Sequence, residues 1–417
     1  MNINDKMEMY IQKPPKRPNL FWRILMNILV FFFNGPFATR SKIVKHNFKD
    51  FKEPALVLSN HGAFVDFANM FKAMRKNAPC YVTAIDEFVG RAWLMRQIGC
   101  FPKRKFTTDL SLIKKIYNLI NKENTPVVIY PEARFSFAGV TEDIGESLGK
   151  MAKLCKCRVI VMNQKGNFLH SPQWGKHPYR NVKNICDCYE VATKEEVLAL
   201  PAEEIQRRIE EHFVYDEYKW QSENKIKIKC KKRAENIHQI LYKCPVCGKE
   251  GHMDSKNSSI WCNHCKATWD MDEYGLLHQR GSDNTRFELV SDWYRWEKEE
   301  VIKEVENGTY YFEDEVRVEQ IMKHDLKFHE IGRVKMIHDM NGYKLEGKLY
   351  TGKDFLVEKP CLSTRSVHIE YNYRNRGNAI DIATIDETWF VYPLNKGSIL
   401  TKFNFATEAL FFNSKSK

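Results

Sequence analysis

Short apolar runs alternate with stretches of helical periodicity over the first half of the chain. Residues 55–58 and 127–130 are continuous apolar runs of strand length. Residues 110–120 and 195–213 instead repeat their apolar positions at helical spacing. Buried strands that alternate with amphipathic helices favour a mainly parallel sheet wrapped by helices. We therefore predict an α/β domain with a mixed sheet over residues 39–235.

The pattern changes in the last third of the chain. A helix is predicted over residues 292–306, with Ser291 as its cap. A series of short runs separated by turn residues follows, and this predicts an all-β domain over residues 276–417. Apolar positions over residues 398–412 return to helical spacing and predict one closing helix. On topology alone, such a bent sheet with a closing helix resembles pleckstrin-homology-like domains, which host many functions.

An aromatic, apolar segment over residues 20–33 follows a polar tail and a basic, proline-rich stretch. Arg23 and Asn27 interrupt this segment, and its uninterrupted part is too short to cross a bilayer about 30 Å thick. Flanking basic residues suit a helix that lies in the interface of an anionic membrane, whereas a buried core helix is the alternative. We expect residues 1–38 to form a basic tail and an interfacial membrane helix.

A polar constellation stands at the end of the first apolar run. His61 follows that run, and Asp66 comes five positions later. Gly62 permits a tight turn, and helical spacing over residues 64–71 then places Asp66 in the first turn of a helix. Open α/β sheets carry their chemistry at such strand ends. A carboxylate on one imidazole nitrogen frees the other to take a hydroxyl proton, so we predict His61 as general base and Asp66 as its orienter.

The same spacing occurs a second time, at His278 and Asp283. This second pair lies in a polar, turn-like segment that no strand precedes. An isolated match of this kind is typical of a surface histidine near an acid, so the second pair serves as an internal control.

Four blocks in order resemble the glycerolipid acyltransferase family and its 1-acylglycerol-3-phosphate acyltransferases. The first block, N-H-x4-D, is matched by Asn60, His61, Gly62 and Asp66. The second block, G-x-x-F/P-x-x-R, resembles IGCFPKRK, which contains Gly99, Lys103 and Arg104. The third, F-P-E-G-T-R, resembles YPEAR, with Pro131, Glu132 and Arg134. Residues 159–166 are a loose version of the fourth block, so the resemblance covers residues 21–190.

The resemblance implies a role in phospholipid biosynthesis at the cytoplasmic face of the cell membrane, as a peripheral or monotopic protein. The acyl donor is acyl-CoA or acyl carrier protein, and the implied acceptor is 1-acyl-sn-glycerol-3-phosphate, which gives phosphatidic acid. Arg134 is suited to hold an acceptor phosphate, and Lys103 and Arg104 to add to it or to hold the phosphates of coenzyme A. The resemblance also implies that Asn60, Gly62, Gly99, Pro131 and Glu132 belong to the substrate-binding residues. Because Arg134 is one position early and alanine replaces the block's glycine, another lysophospholipid or a lipid alcohol is an alternative acceptor.

Two C-x-x-C pairs predict a small metal module over residues 236–275. The pairs are Cys244 with Cys247 and Cys262 with Cys265. Their spacing is typical of a tetrahedral four-thiolate zinc site on two turns, as in a zinc ribbon. Because thiolates supply all four bonds, the zinc is expected to be structural. A redox dithiol is the alternative, which the presence of two pairs disfavours.

Charge and cysteine usage narrow the choice of partner. The formal net charge of +12 favours a polyanionic partner, either an anionic membrane surface or nucleic acid. The predicted ribbon carries few basic residues and no basic-aromatic platform, which makes nucleic acid the less favoured of the two. The 12 cysteines, without a signal peptide, lead us to expect a reducing cytoplasm.

The alternative to an enzyme is a catalytically silent, acyltransferase-like scaffold. Such a scaffold would bind a partner or nucleic acid through the zinc ribbon and the C-terminal domain. The intact pair of His61 and Asp66 argues against this alternative, because a scaffold has no need for a general base.

Overall fold

The structure is a computed structural model that describes residues 6–47, 53–175, 180 and 182–415. The side chains of residues 6, 8 and 31–40 are outside this description. The predicted tail over residues 1–5 and the aromatic side chains of residues 31–33 therefore lie outside the described residues.

The first unit is a sheet of seven strands with helices on both faces, as the alternating pattern predicted. Its strands are β1 (Lys42–Lys45), β2 (Ala55–Ser59), β3 (Cys80–Ala84), β4 (Cys100–Lys103), β5 (Val127–Ile129), β6 (Arg158–Lys165) and β7 (Ile185–Ala192). Its helices are α1 (Lys6–Gln12), α2 (Leu20–Arg40), α3 (Val65–Ala73), α4 (Ala92–Gln97), α5 (Leu110–Asn121), α6 (Leu148–Cys155), α7 (Asn167–His170), α8 (Lys194–Ala199), α9 (Ala202–Phe213) and α10 (Glu217–Glu223).

The spatial order of the strands is β1-β7-β6-β2-β5-β3-β4. The five strands from β6 to β4 run parallel, whereas β7 is antiparallel to β6, so the sheet is mixed. All residues of β2 are buried, as expected of a central strand covered on both faces. Because β2, β5 and β6 are parallel neighbours, their carboxyl ends meet at one edge of the sheet.

Two predicted helices have different bounds in the structure. The helix predicted over residues 195–213 is divided into α8 and α9 at Pro201, because proline has no backbone N–H to donate and the residue before it avoids helical geometry. The aromatic N-terminal segment continues as α2 through Pro36 to Arg40, beyond the expected end. Among the described helices, none has both the length and the apolar character needed to cross a membrane.

The second unit is an antiparallel sheet of four short strands in the order β11-β10-β9-β8. These strands are β8 (Met253–Lys256), β9 (Ser259–Cys262), β10 (Thr268–Met271) and β11 (Leu277–Gln279). A helix, α11 (Val290–Glu306), connects this sheet to the last unit. The N-cap of α11 is Leu289, so the prediction that Ser291 caps this helix is wrong. Ser291 is instead buried in the first turn, where its side chain faces the core.

The third unit is a sheet of seven antiparallel strands closed by one helix, as predicted for a mostly-β region. The spatial order of the strands is β15-β14-β13-β12-β18-β17-β16. They are β12 (Phe312–Ile321), β13 (Phe328–Asp339), β14 (Gly342–Leu349), β15 (Asp354–Pro360), β16 (His368–Glu370), β17 (Ala379–Ala383) and β18 (Thr388–Pro393), followed by α12 (Leu400–Lys415). The likeness to pleckstrin-homology domains stays a prediction.

One buried hydrophobic cluster contains residues of all three units. Phe168 of the first unit, Trp269 of the second and Phe403 of the third belong to the same buried cluster. The basic stretch over residues 219–233 is part of this packing: Ile228 is buried and its N–H donates to the carbonyl of Glu273 at 2.6 Å. The sequence boundaries at residues 235 and 275 therefore do not separate independent cores.

Candidate active site

The end of β2 is joined to the end of β6 through Asn60. Its Oδ1 accepts the N–H of Gln164 at 2.7 Å, and its Nδ2 donates to the carbonyl of Gln164 at 2.9 Å. These two bonds extend the pairing of the strands by one side chain and fix the turn that presents His61. The resemblance implied that Asn60 binds substrate, but here both polar atoms of its amide bond to backbone.

His61 and Asp66 are in direct contact. The distance from His61 Nδ1 to Asp66 Oδ2 is 2.9 Å, and the same oxygen accepts the N–H groups of Gly62 at 2.6 Å and Ala63 at 2.9 Å. The other carboxylate oxygen accepts Nδ2 of Asn167 at 2.6 Å. Asp66 is fully buried, so these four donors fix its carboxylate in one orientation.

This arrangement determines which nitrogen of the imidazole is left for chemistry. Because the carboxylate accepts from four groups, Nδ1 is assigned as the protonated nitrogen and Nε2 carries the lone pair. Nε2 has no hydrogen-bond partner among the residues that the structure describes, and the His61 side chain is 19% exposed. A hydroxyl that reaches Nε2 meets a base whose tautomer is already set.

The segment after β5 encloses the His61 ring on both faces. The ring centroid lies 4.1 Å from that of Tyr130 and 4.0 Å from that of Phe135. The backbone is fixed as well, since the N–H of Ser136 donates to the carbonyl of His61 at 2.7 Å. The third block, which includes Pro131, thus borders the histidine because β5 is the parallel neighbour of β2.

Glu132 is a buried carboxyl in this segment, and it is 3% exposed. Its Oε2 has no hydrogen-bond partner in the described part of the chain. Burial raises the pKa of Glu132 well above its ordinary value; the charge of Glu142 adds to the rise and that of Arg134 opposes it. These effects favour a neutral carboxylic acid, which can donate a hydrogen bond.

Arg134 does not occupy the place that the sequence analysis expected. Its guanidinium is buried and bonds to Glu408 Oε1 at 2.8 Å and Asn404 Oδ1 at 2.7 Å, and it lies 3.3 Å from Glu142 Oε2. Two carboxylates already balance its charge. The expectation that Arg134 holds an acceptor phosphate is therefore corrected: its donors are directed at acidic and polar groups of the protein.

The basic residues of the second block also differ from the expectation. Arg104 donates to the carbonyls of Ile385 at 2.6 Å and Asp386 at 2.8 Å, in the turn between β17 and β18. Lys103 Nζ donates to the carbonyl of Thr107 at 2.5 Å. Lys103 is the last residue of β4, and Arg104 follows it. In the sheet, β4 lies three strands from β2, a distance of about 14 Å at ~4.8 Å per strand. The two basic residues therefore lie away from the hydroxyl that His61 would deprotonate, and their role towards the phosphates of coenzyme A stays a prediction.

Gly99 serves packing in this structure. Its φ of +91° lies in the left-handed region, and a Cβ at this position would come within 2.9 Å of the carbonyl of Pro79. A glycine is therefore required where β4 begins, independently of any ligand.

Several residues of the site were missed by the sequence analysis. Gln164 and Asn167 complete the polar network beneath Asp66: Gln164 Nε2 donates to the Asp66 carbonyl at 3.0 Å, and Asn167 Nδ2 donates to Gln164 Oε1 at 2.9 Å. A run of amides directly after an apolar strand was the available signal. Nothing in the local sequence indicated that Tyr130 and Phe135 would face the imidazole.

The four cysteines of the second unit lie together. Their sulfur atoms are all within 4.8 Å of one another, with 3.6 Å between Cys244 and Cys265 and 3.8 Å between Cys247 and Cys262. A tetrahedral zinc with bonds of about 2.3 Å requires sulfur atoms about 3.8 Å apart. The cluster therefore fits a metal ion of this kind.

A second group that satisfies the same distance criterion consists of His324, Asp325 and His329, at the tip of the hairpin between β12 and β13. Its imidazoles are largely exposed, and the carboxylate already accepts a hydrogen bond from His329 at 2.7 Å. We assign no ion to it.

Part of the first unit is similar to known proteins. Residues 40–163 match the family model described as Acyltransferase. No curated protein sequence matches the chain. Among solved structures, the chain is similar to the crystal structure of the 1-acyl-sn-glycerophosphate (LPA) acyltransferase, PlsC, from Thermotoga maritima, at 14% identity over 46% of this chain and 78% of that chain, with a TM-score of 0.35. Residues 40–163 are thus similar to acyltransferases, and a four-cysteine cluster and a mostly-β region follow them in the chain.

Proposed function

We propose that the protein is a membrane-associated O-acyltransferase that moves a fatty acyl group from acyl-CoA or acyl carrier protein to a lysophospholipid, foremost 1-acyl-sn-glycerol-3-phosphate. The observation that carries this proposal is the contact of His61 Nδ1 with buried Asp66 at 2.9 Å, inside the region that matches the Acyltransferase model. The free nitrogen of this pair is suited to deprotonate a hydroxyl.

The chemistry needs only one base. Nε2 of His61 takes the proton of the acceptor hydroxyl, and the oxygen attacks the thioester carbonyl carbon of the acyl donor. Asp66 stabilises the imidazolium that forms. The C–S bond then breaks, the thiolate takes the proton back from the imidazolium, and an ester is released without a covalent enzyme intermediate.

An exposed apolar stripe on α2 supports a membrane location. Leu20, Phe21, Ile24 and Ile28 are all exposed, and their spacing places them along one side of the helix. Trp22 packs edge-on against the exposed Trp93 at 5.3 Å. Apolar side chains of this kind beside a basic surface suit adsorption to an anionic bilayer. We propose peripheral or monotopic binding at the cytoplasmic face of the cell membrane.

The headgroup of the acceptor lipid is a separate question from the acyl transfer itself. Because the charge of Arg134 is balanced internally, discrimination between phosphorylated and neutral acceptors must come from other groups. The assay therefore offers lysophosphatidic acid, a zwitterionic lysophospholipid and a monoacylglycerol in parallel. Each is combined with labelled acyl-CoA and, separately, with acyl carrier protein.

The experiment compares the wild type with His61→Ala and His278→Ala. Ester formation should be lost in His61→Ala, because positioned general-base catalysis is worth about 10²–10⁴-fold. His278→Ala should keep the wild-type rate, since that ring is 55% exposed and far along the chain in the four-stranded unit. Equal activity of His61→Ala and the wild type would refute the mechanism. A wild type that is inactive with every pair of substrates would favour the scaffold alternative.

A further inference from the structure

The catalytic histidine packs against one segment, residues 130–137, which we call the histidine loop. Tyr130 and Phe135 of this loop lie against the two faces of the His61 imidazole, at 4.1 and 4.0 Å between centroids. Ser136 holds the His61 carbonyl at 2.7 Å. A displacement of the loop would therefore remove contacts to both the ring and the backbone of His61 and leave Asp66 as the main support of the ring.

The backbone preferences and local hydrogen bonds of the histidine loop do little to stabilise its conformation. Ala133 has a φ of +57°, in the left-handed region, where a residue with a Cβ costs about 1 kcal/mol or more. The turn has one local hydrogen bond, from the N–H of Ala133 to the carbonyl of Tyr130 at 3.0 Å. A strained turn with so little local support must be held by contacts from elsewhere.

Those contacts come mainly from the C-terminal unit. Arg134 of the loop bonds to Glu408 and Asn404 on α12, and its Nη1 lies 3.3 Å from the carbonyl of Val367, just before β16. The guanidinium also packs over the ring of Phe137, with 4.4 Å to its centroid. Most of the donors of this one arginine therefore bind the loop to the last unit of the chain.

Glu408, the partner of Arg134 on α12, is itself held by further contacts. Besides Arg134, the carboxylate of Glu408 accepts the hydroxyl of Ser366 at 2.8 Å, and it pairs with Lys298 at 2.7 Å. Burial raises the pKa of Glu408, but the charges of Lys298 and Arg134 outweigh it and hold that pKa at about 2. Glu408 is therefore ionised at every pH at which the enzyme would work, and α12 around it is buried in the core.

We infer that Glu408 is a positioning residue for His61, acting through Arg134 and the histidine loop. The C-terminal unit is then a working part of the acyltransferase site. The kinetic consequence rests on the proposed function, whereas the effect on the His61 ring does not.

The test replaces Glu408 by glutamine, which keeps the shape of the side chain and removes the charge. The matched control is Lys402→Met on the same helix, because Lys402 pairs with Glu250 at 2.9 Å and Glu304 at 2.8 Å and does not contact the loop. We measure the melting temperature, the rate at which diethyl pyrocarbonate modifies His61 by peptide mass spectrometry, and kcat and KM for ester formation.

Glu408→Gln should increase the modification rate of His61 several-fold and lower kcat about 10- to 100-fold, with KM changed much less, because a misplacement near 1 Å costs about 10²-fold. Lys402→Met should leave both quantities near the wild-type values. If Glu408→Gln does not fold, Asn404→Ala replaces it, since that change removes one bond to Arg134 without leaving a charge unpaired. Its effect should be smaller and in the same direction.

A second substitution that relieves the strain within the histidine loop itself distinguishes a displacement of the loop from general destabilisation of the protein. Ala133→Gly removes the penalty at φ +57°, because glycine adopts this conformation without strain. In the Glu408→Gln background, this second change should bring His61 modification back towards the wild-type rate and recover part of kcat.

Three outcomes would overturn the inference. The first is unchanged His61 modification in a folded Glu408→Gln protein, the second is an equal effect of Lys402→Met, and the third is no recovery with Ala133→Gly. If the wild type shows no acyl transfer at all, the proposed function fails, and the modification rates alone decide whether Glu408 positions His61.

Discussion

Replacing Asp66 by asparagine tests how the His61 imidazole is held. The carboxylate receives four hydrogen bonds, from His61, the N–H groups of Gly62 and Ala63, and Asn167. Asparagine offers one oxygen and one NH₂ group in the same space. Whichever way the amide is turned, its NH₂ faces at least one buried donor, and a buried unsatisfied group costs about 1–3 kcal/mol of stability.

The expected loss of rate follows from the same contacts. A hydrogen bond to a charged group is worth about 1.5–3 kcal/mol, and one between neutral groups about 0.5–1.5 kcal/mol. Losing the charge beside the imidazolium therefore removes about 1–1.5 kcal/mol, or roughly tenfold in rate. The unfavourable amide contact also loosens the ring, so we expect kcat to fall by about 10²–10³-fold in total, close to the effect of His61→Ala.

Initial rates with labelled acyl-CoA and lysophosphatidic acid measure this effect, and circular dichroism verifies the fold. Because Asp66 acts through His61, the double variant that combines Asp66→Asn with His61→Ala should be no slower than His61→Ala alone. The control is Asp272→Asn: the structure pairs His278 with Asp272 at 3.2 Å, not with Asp283, and in this pair His278 is exposed and Asp272 half-buried. A folded Asp66→Asn protein with the wild-type rate, or additive losses in the double variant, would refute the reasoning.

Three further predictions concern metal, membrane and pH. Elemental analysis of protein purified without chelators should find one zinc per chain, and this zinc should be lost when Cys244 and Cys262 are both changed to serine. Protein without metal, or with redox-active iron, would contradict the assignment. A second zinc that is lost in His324→Ala would lie at the hairpin tip. Binding of the protein to anionic vesicles should weaken with salt and largely disappear when residues 1–38 are deleted. If the truncated protein is folded and binds equally well, the deleted segment serves packing and does not bind the membrane. Burial raises the pKa of Glu217 from 4.5 to about 7, so its stabilising contribution is present below pH 4.5 and lost as the pH rises through 7. In urea unfolding at pH 4 and pH 8, the stability of the wild type relative to Glu217→Gln should therefore fall by about 3 kcal/mol, and a constant difference would refute the shift.

The elements that the sequence predicted well are those with a local cause. The mixed sheet and the mostly-β last unit are confirmed, because apolar periodicity and turn residues act over a few positions. The contact of His61 with Asp66 needs only a strand, a turn and the first turn of a helix, all within residues 55–66. The spacing of the cysteines likewise contains most of the geometry of the cluster that they form.

Other features depended on which distant residues the fold brings together. The sequence identified Arg134 as a basic residue beside the site, but its partner Glu408 is 274 positions away, and no local pattern reveals that two carboxylates balance its charge. The burial of Ile228 has the same cause, since a unit that comes later in the chain covers it.

The sequence by itself therefore determined the types of element, the histidine with its carboxylate and the cluster of four cysteines. Only the tertiary structure decided that Tyr130 and Phe135 enclose the imidazole and that α12 supports the loop carrying them. The physical reason is that periodicity and spacing act between neighbours along the chain, whereas burial and charge balance are set by whatever the completed fold places around a side chain.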